Sequence, residues 1–204
     1  MNKKLLPLSA TAIATALALG GCSTGSGSSG TSMPMDHGSS STSAPSSTAP
    51  ASAAEHNAAD VTFAQTMVPH HAQAVQMSET VLKKQDIPAD VTALATKIKA
   101  SQGPEIDMMT GWLTSWNEPT MMPSGHSMTG MMGDEDMTRL DAAQGTEAAR
   151  LFLQQMIVHH EGAIMMAKTE TTAGKNADAV KLSKDIVGAQ EAEIQEMQKL
   201  LASL

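Results

Sequence analysis

The sequence predicts an all-α fold, a four-helix bundle made of two repeated helical hairpins related by a pseudo-twofold axis. Three observations predict it. First, the stretch Met67-Val-Pro-His70-His71-Ala-Gln-Ala-Val-Gln-Met77 recurs as Met156-Ile-Val-His159-His160-Glu-Gly-Ala-Ile-Met-Met166. The two His pairs, their flanking methionines and the chain's two phenylalanines, Phe63 and Phe152, keep one interval of 89 positions. Second, Gln102-Gly-Pro-Glu105-Ile106-Asp-Met-Met109 is matched by Gln190-Glu-Ala-Glu193-Ile194-Gln-Glu-Met197 at an interval of 88, so the repeat unit is a whole hairpin with a one-residue gap in its loop. Third, the apolar residues around all four segments fall at helical spacing. Two hairpins that each carry one apolar face close against one another as a bundle.

Residues 1–21 read as a secretion signal. Lys3 and Lys4 form its charged start, and Leu5 to Leu19 is an apolar run too short for a comfortable membrane span. The run ends Leu19-Gly20-Gly21-Cys22, a lipobox-like end that predicts cleavage before Cys22 and acylation of it. The expected partner is then a lipid bilayer, held through acylated Cys22, and no other stretch is expected to span one. Cys22 is the only cysteine, which excludes disulfides within the chain and thiolate-rich zinc or iron–sulfur sites. Residues 22–59 are Ser, Thr, Gly, Pro and Ala, a composition that cannot offset the entropy of ordering, and are expected to be a disordered tether. Within it, Met33-Pro-Met35-Asp-His37 is a small cluster of soft ligands.

The folded domain is expected over 60–204, with hairpin one at 60–116, a Met/Gly-rich loop at 117–145 and hairpin two at 146–204. Asp60 is the predicted N-cap of the first helix, which should run to about Lys84. Pro69 predicts a kink just before the first His pair. Pro88 opens the second helix, and Gly103-Pro104 predicts a bend or break within it. The 117–145 segment is long for a helix–helix connection, and its Met pairs are too irregular for a buried stripe. It contains further soft ligands between 121 and 137, among them Met121, Met122, His126 and Met128, which are candidate extra ligands or an acquisition arm for Cu(I). Thr146 opens the third helix. Gly174 is the predicted residue after its C-cap, and Asn176 the next N-cap.

The formal charge of −8 becomes −10 once Lys3 and Lys4 leave with a signal. An acidic chain with 2% aromatic residues has neither the basic footprint nor the stacking platforms for nucleic acid. The unusual count is 17 Met against 2 Phe and no Tyr. Methionine fills cores, and it is also a thioether ligand that suits Cu(I). On a helix, Met67 lies on the same side as His70 and His71, and Met156 on the same side as His159 and His160. Adjacent histidines diverge by about 100°, so each pair cannot point one way. Glu105 with Met109, and Glu193 with Met197, add a carboxylate and a thioether four residues apart on the returning helices. The candidate metal ligands are therefore His70, His71, His159, His160, Met67 and Met156 first, then Glu105, Glu193, Met109 and Met197. A carboxylate in this set either binds the ion or fixes the tautomer of a histidine. Met77 and Met166 are assigned to core packing.

At these residues the chain resembles the bacterial domain-of-unknown-function 305 family of secreted, ferritin-like helical proteins, which includes a periplasmic copper-binding member. The match rests on Met67-x-x-His70-His71-x-x-Ala74-x-x-Met77, its copy ending at Met166, and the two Gln–Glu-Ile–Met segments. The resemblance implies a ferritin-like four-helix bundle and extracytoplasmic binding of copper as Cu(I), Cu(II) or both. The function expected is copper sequestration, tolerance or transfer to an unknown partner, with no catalytic residues. A metal-free interaction or envelope-stress lipoprotein is the alternative. A ferritin-like oxidase is the third reading, and it lacks the Glu-x-x-His pattern of di-iron bundles.

Overall fold

The computed structural model describes residues 55–122 and 128–204, and the predicted signal, lipidation site and tether up to residue 54 lie outside them. Among the described residues the protein is all-helical: α1 (Ala58–Leu82), α2 (Ala89–Ser115), α3 (Asp134–Ala142), α4 (Gly145–Ala173) and α5 (Ala177–Ser203). The four long helices form a bundle in which α1 packs chiefly on α2, α4 on α5, and α1 on α4. No described helix is long and apolar enough to cross a membrane.

Helix α1 begins earlier than its sequence suggests. Asn57 is the N-cap, accepting from the Ala59 and Asp60 amides, while Asp60 accepts from the Asn57 amide to complete a capping box. Asp60 is fully buried and also accepts from the backbone N–H groups of Lys175 and Asn176 in the α4–α5 turn. Asn57 donates from its amide to the Ala173 carbonyl. One polar pair thus starts α1 and ties it to the far end of the second hairpin, which outweighs the simpler N-cap role expected of Asp60.

Both internal prolines are accommodated. α1 runs through Pro69 and α2 through Pro104 without interruption, so the break considered at Gly103-Pro104 does not occur. A proline in a helix interior costs on the order of 3 kcal/mol; here apolar residues on either side of each one are buried in the bundle and hold the helix together. The described part of the 117–145 connection contains a helix that its composition did not suggest. This is α3, which follows Gly133 with Asp134, Glu135 and Asp136 in the first turn, where they favour the helix dipole. Leu140 anchors α3, fully buried. Glutamines on the long helices hold described parts of the connection. Gln73 exchanges two hydrogen bonds with the Met132 backbone, Gln65 donates to the Pro119 carbonyl and Gln155 to the Asp136 carbonyl.

Gly174 is the C-cap residue itself and has φ −68, not the left-handed backbone expected of it. Its role is steric: a Cβ there would collide with the Glu170 carboxyl, which lies against it. Asn176 does cap α5, accepting from the Asp178 and Ala179 amides.

The apolar core is in two clusters. One gathers Ala74, Met77, Val81, Leu94, Ile98, Phe152, Met156 and Met197. The other gathers Phe63, Met67, Met109, Leu113, Ala163, Ala167 and Ile186. Each long helix contributes to both and passes between them through a polar stretch: His70-His71 on α1, Gln102 to Glu105 on α2, His159-His160 on α4 and Gln190 to Glu193 on α5.

Candidate metal centre

The polar layer between the two apolar clusters holds all four histidines of the repeated motif, and each is fully buried. Successive residues on a helix diverge, and the two members of each pair go to different places. His70 and His159 meet in the interior, their ring centroids 3.7 Å apart at an interplanar angle of 39°. His71 turns to α2, where its Nε2 donates to Glu105 Oε2 at 2.7 Å. His160 turns to α5, where its Nε2 donates to Glu193 Oε2 at 2.8 Å. Glu193 is nearly buried and Glu105 somewhat more open (side chains 5% and 22% exposed). Lys97 Nζ lies 3.6 Å from Glu193 as a second neighbour.

Both carboxylates therefore fix the tautomer of their histidine, with the proton on Nε2 and the lone pair on Nδ1. Six ring nitrogens have no hydrogen-bond partner among the described residues: Nδ1 of His71 and His160, and both nitrogens of His70 and His159. The Gln102 amide and the Gln190 carbonyl oxygen are buried and unpartnered in the same layer. Unpaired buried polar atoms each cost about 1–3 kcal/mol, so a fold that keeps this many in one layer leaves a binding capacity unspent.

Burial holds three of these imidazoles, His70, His159 and His160, in the neutral form at ordinary pH. Burial pushes His70 down to about 3, helped by the neighbouring charge of His71. Burial pushes His159 down to about 2, with His70 and His160 adding to it. His160 is lowered mainly by burial, against the pull of Glu193. Neutral imidazoles offer lone pairs to a metal with no proton to displace.

The thioethers lie at the layer's edges. Met67 and Met109 are fully buried in one apolar cluster, and Met156 and Met197 in the other. Among the described residues no three His, Cys, Asp or Glu side chains are grouped to hold a metal ion. The donors that the layer and its flanking clusters offer are imidazole and thioether, types that suit copper. Met77 is in the core as expected, whereas Met166 is only partly buried at the edge of the second cluster.

A family model described as Domain of unknown function (DUF305) matches residues 60–201. The chain belongs to this family. Among solved structures it is similar to a DUF305 protein from Streptomyces coelicolor, inferred to be secreted, with 36% identity, a TM-score of 0.68, and coverage of 71% of this chain and 93% of that one. It is similar to a DUF305 fragment from Deinococcus radiodurans at 30% identity and TM-score 0.67, covering 72% and 98%. It is also similar to CopM in its Cu(I)-bound form at 32% identity and TM-score 0.61, covering 71% and 96%; CopM is known in Cu(II)-bound and Ag-bound forms too. No curated protein matches the chain.

Three features of the site had no clear reading in sequence. Gly162 is one: a Cβ there would strike the Thr129 carbonyl and stand 2.8 Å from Gly130 Cα, so the connection before α3 presses onto α4 two residues past His160. A glycine inside a helix was the available signal. Gly130 turns with φ +86 at this contact. The second is the set of glutamines that hold this connection. The third is Glu170, buried beside Asp60, whose carboxyl is pushed up to about 8 by burial first and then by the Asp60 charge. Burial alone would raise Asp60 too, but the neighbouring Glu170 carboxyl and hydrogen bonds from the Asn57, Asn176 and Lys175 backbone hold it below its ordinary value.

Proposed function

We propose that the protein binds copper outside the cytoplasm, tethered to the membrane by acylated Cys22, for sequestration, tolerance or transfer. The single observation that carries this reading is the buried layer of unpartnered imidazole nitrogens flanked by buried thioethers. The copper- and silver-bound states of CopM, about a third identical in sequence, support the choice of metal. The description of the Streptomyces relative supports the extracytoplasmic address.

In this reading the two hairpins form half-sites related by a pseudo-twofold axis through the His70–His159 contact. One half-site joins His71 and Met67 to Glu105 and Met109; the other joins His160 and Met156 to Glu193 and Met197. Glu105 and Glu193 orient their histidines, and Nδ1 faces the ion. Copper is cargo here, and the protein acts as a binding protein, not an enzyme. A metal-free interaction lipoprotein is the second reading, favoured by the lack of any preformed group of three hard ligands among the described residues.

Native mass spectrometry of residues 23–204 with Cu(I), Cu(II) and Zn(II) separates the two, repeated on His70→Ala/His71→Ala and His159→Ala/His160→Ala. Copper retained against a competing chelator and reduced in each variant supports the proposal. Unchanged stoichiometry in both variants removes the helical site, and no retention by the unaltered chain favours the metal-free reading.

A further inference from the structure

A second cluster of soft ligands lies away from the imidazole layer. The first turns of α1, the last turns of α4 and the connection between the hairpins enclose a groove of about 600 Å³. Three thioethers from three separate places line it: Met122, Met128 and Met166. The first two come from the Met/Gly-rich connection, and the third from the end of the repeated His–Met motif.

Three of the hydroxyls on this wall are already engaged: Thr62, Thr66 and Thr169 each donate to the carbonyl four residues earlier, at 2.8, 2.8 and 3.1 Å. The Glu170 carboxyl is buried against Gly174, with neither oxygen hydrogen-bonded among the described residues, and burial favours its neutral form. Besides Glu170 and Thr129, the donor side chains left to face the groove are the three methionines. Thioethers bind hard cations poorly and Cu(I) or Ag(I) well. Methionine has three rotatable bonds, so thioethers that line one groove can reorient toward a shared ion.

Position adds to this. Met128 is followed by Thr129 and Gly130, the residues pressed onto Gly162 beside the second His pair. The groove and the buried layer are therefore joined by one short piece of backbone.

We propose that Met122, Met128 and Met166 form a separate, solvent-reachable site for a soft monovalent cation, Cu(I) or its analogue Ag(I), beside the Thr129–Gly130 backbone that presses on α4 next to the second His pair. Its ligands are distinct from those of the buried layer, so it stands or falls independently of the function proposed above.

The test uses the full chain in detergent with [methyl-13C]methionine and Ag(I) as a redox-inert probe. The Met122, Met128 and Met166 methyl resonances should shift together within one added equivalent. The variant Met122→Leu/Met128→Leu/Met166→Leu should lose one Ag(I) equivalent by native mass spectrometry while keeping the rest. In His71→Ala/His160→Ala the three groove methyls should still shift. Two results would overturn the proposal. One is an unchanged Ag(I) stoichiometry in the triple-Leu variant. The other is loss of the groove shifts in the histidine variant, which would make them a secondary effect of the buried layer. If histidine substitution leaves Ag(I) binding intact and triple-Leu abolishes it, the groove is supported and the buried site is not.

Discussion

Acid should destabilise the metal-free protein through His70 and His159, and the size of the effect follows from their burial. Both have folded-state values far below the ordinary 6.5, at about 3 and about 2. A group whose folded value is depressed contributes stability that is fully present above the unfolded value and is lost as pH falls toward the folded one. Between pH 6.5 and 3 the unfolded chain takes up two protons that the folded chain refuses. Each refused proton costs about 1.4 kcal/mol per pH unit, so the two together remove roughly 4 kcal/mol by pH 5. That is a large part of the ~5–15 kcal/mol typical of a domain. His160, also lowered by burial, adds in the same direction. Glu170 acts oppositely: raised to about 8, it binds a proton in the folded state that the unfolded chain lacks, so it gains stability as pH falls from about 8 to 4.5. The clean measurement is therefore urea unfolding of Glu170→Gln, followed by far-UV circular dichroism at pH 7, 6 and 5 with a chelator present. Stability should fall by roughly 4 kcal/mol from pH 6.5 to 5. Adding His70→Leu or His159→Leu should remove about half of that fall and stabilise the protein at pH 5. A stability that stays constant over this range, or an acid slope unchanged in both leucine variants, would show that the imidazoles are not held neutral by burial.

Three further outcomes are expected. Gly162→Ala places a methyl into the Thr129–Gly130 backbone and should destabilise by about 1–3 kcal/mol despite its better helix propensity; Gly188→Ala, with open space around it, should stabilise by about 0.5–1 kcal/mol in the same denaturation series. Asn57→Ala removes the α1 cap and the bond to Ala173, and should cost about 1–2 kcal/mol in urea unfolding. Under the copper reading, Glu193→Gln frees the tautomer of His160 and should weaken copper affinity about 10–100-fold in a chelator competition, with Glu105→Gln, at the more open pair, affecting it less.

Much of the bundle and of the candidate site was readable in advance, for a specific reason. A helix repeats every 3.6 residues, so a one-dimensional pattern states which side chains share a face. The duplicated Met–His–His–Met stretches and the two Gln–Glu–Met segments thereby located the polar layer on all four helices. The divergence of adjacent histidines followed from the same geometry. Helical spacing says nothing, however, about what lies opposite. Only packing decided that His70 meets His159 while His71 and His160 go to Glu105 and Glu193. Packing also decided that each thioether pair sits in a different apolar cluster. Met67 and Met166 look alike in sequence, yet one is sealed in the core and the other lines an open groove. The break considered at Gly103-Pro104 did not occur, and α3 was missed within 117–145, for the complementary reason. Local rules see the missing N–H of Pro69 and Pro104 and the glycine-rich run after residue 117. They do not see the apolar residues that hold those helices, or Leu140 and the glutamines that hold the connection. Composition and periodicity settled the class of fold and the kinds of ligand this chain carries. Which nitrogens are left without partners is a property of the closed bundle, because only the tertiary structure removes water from them.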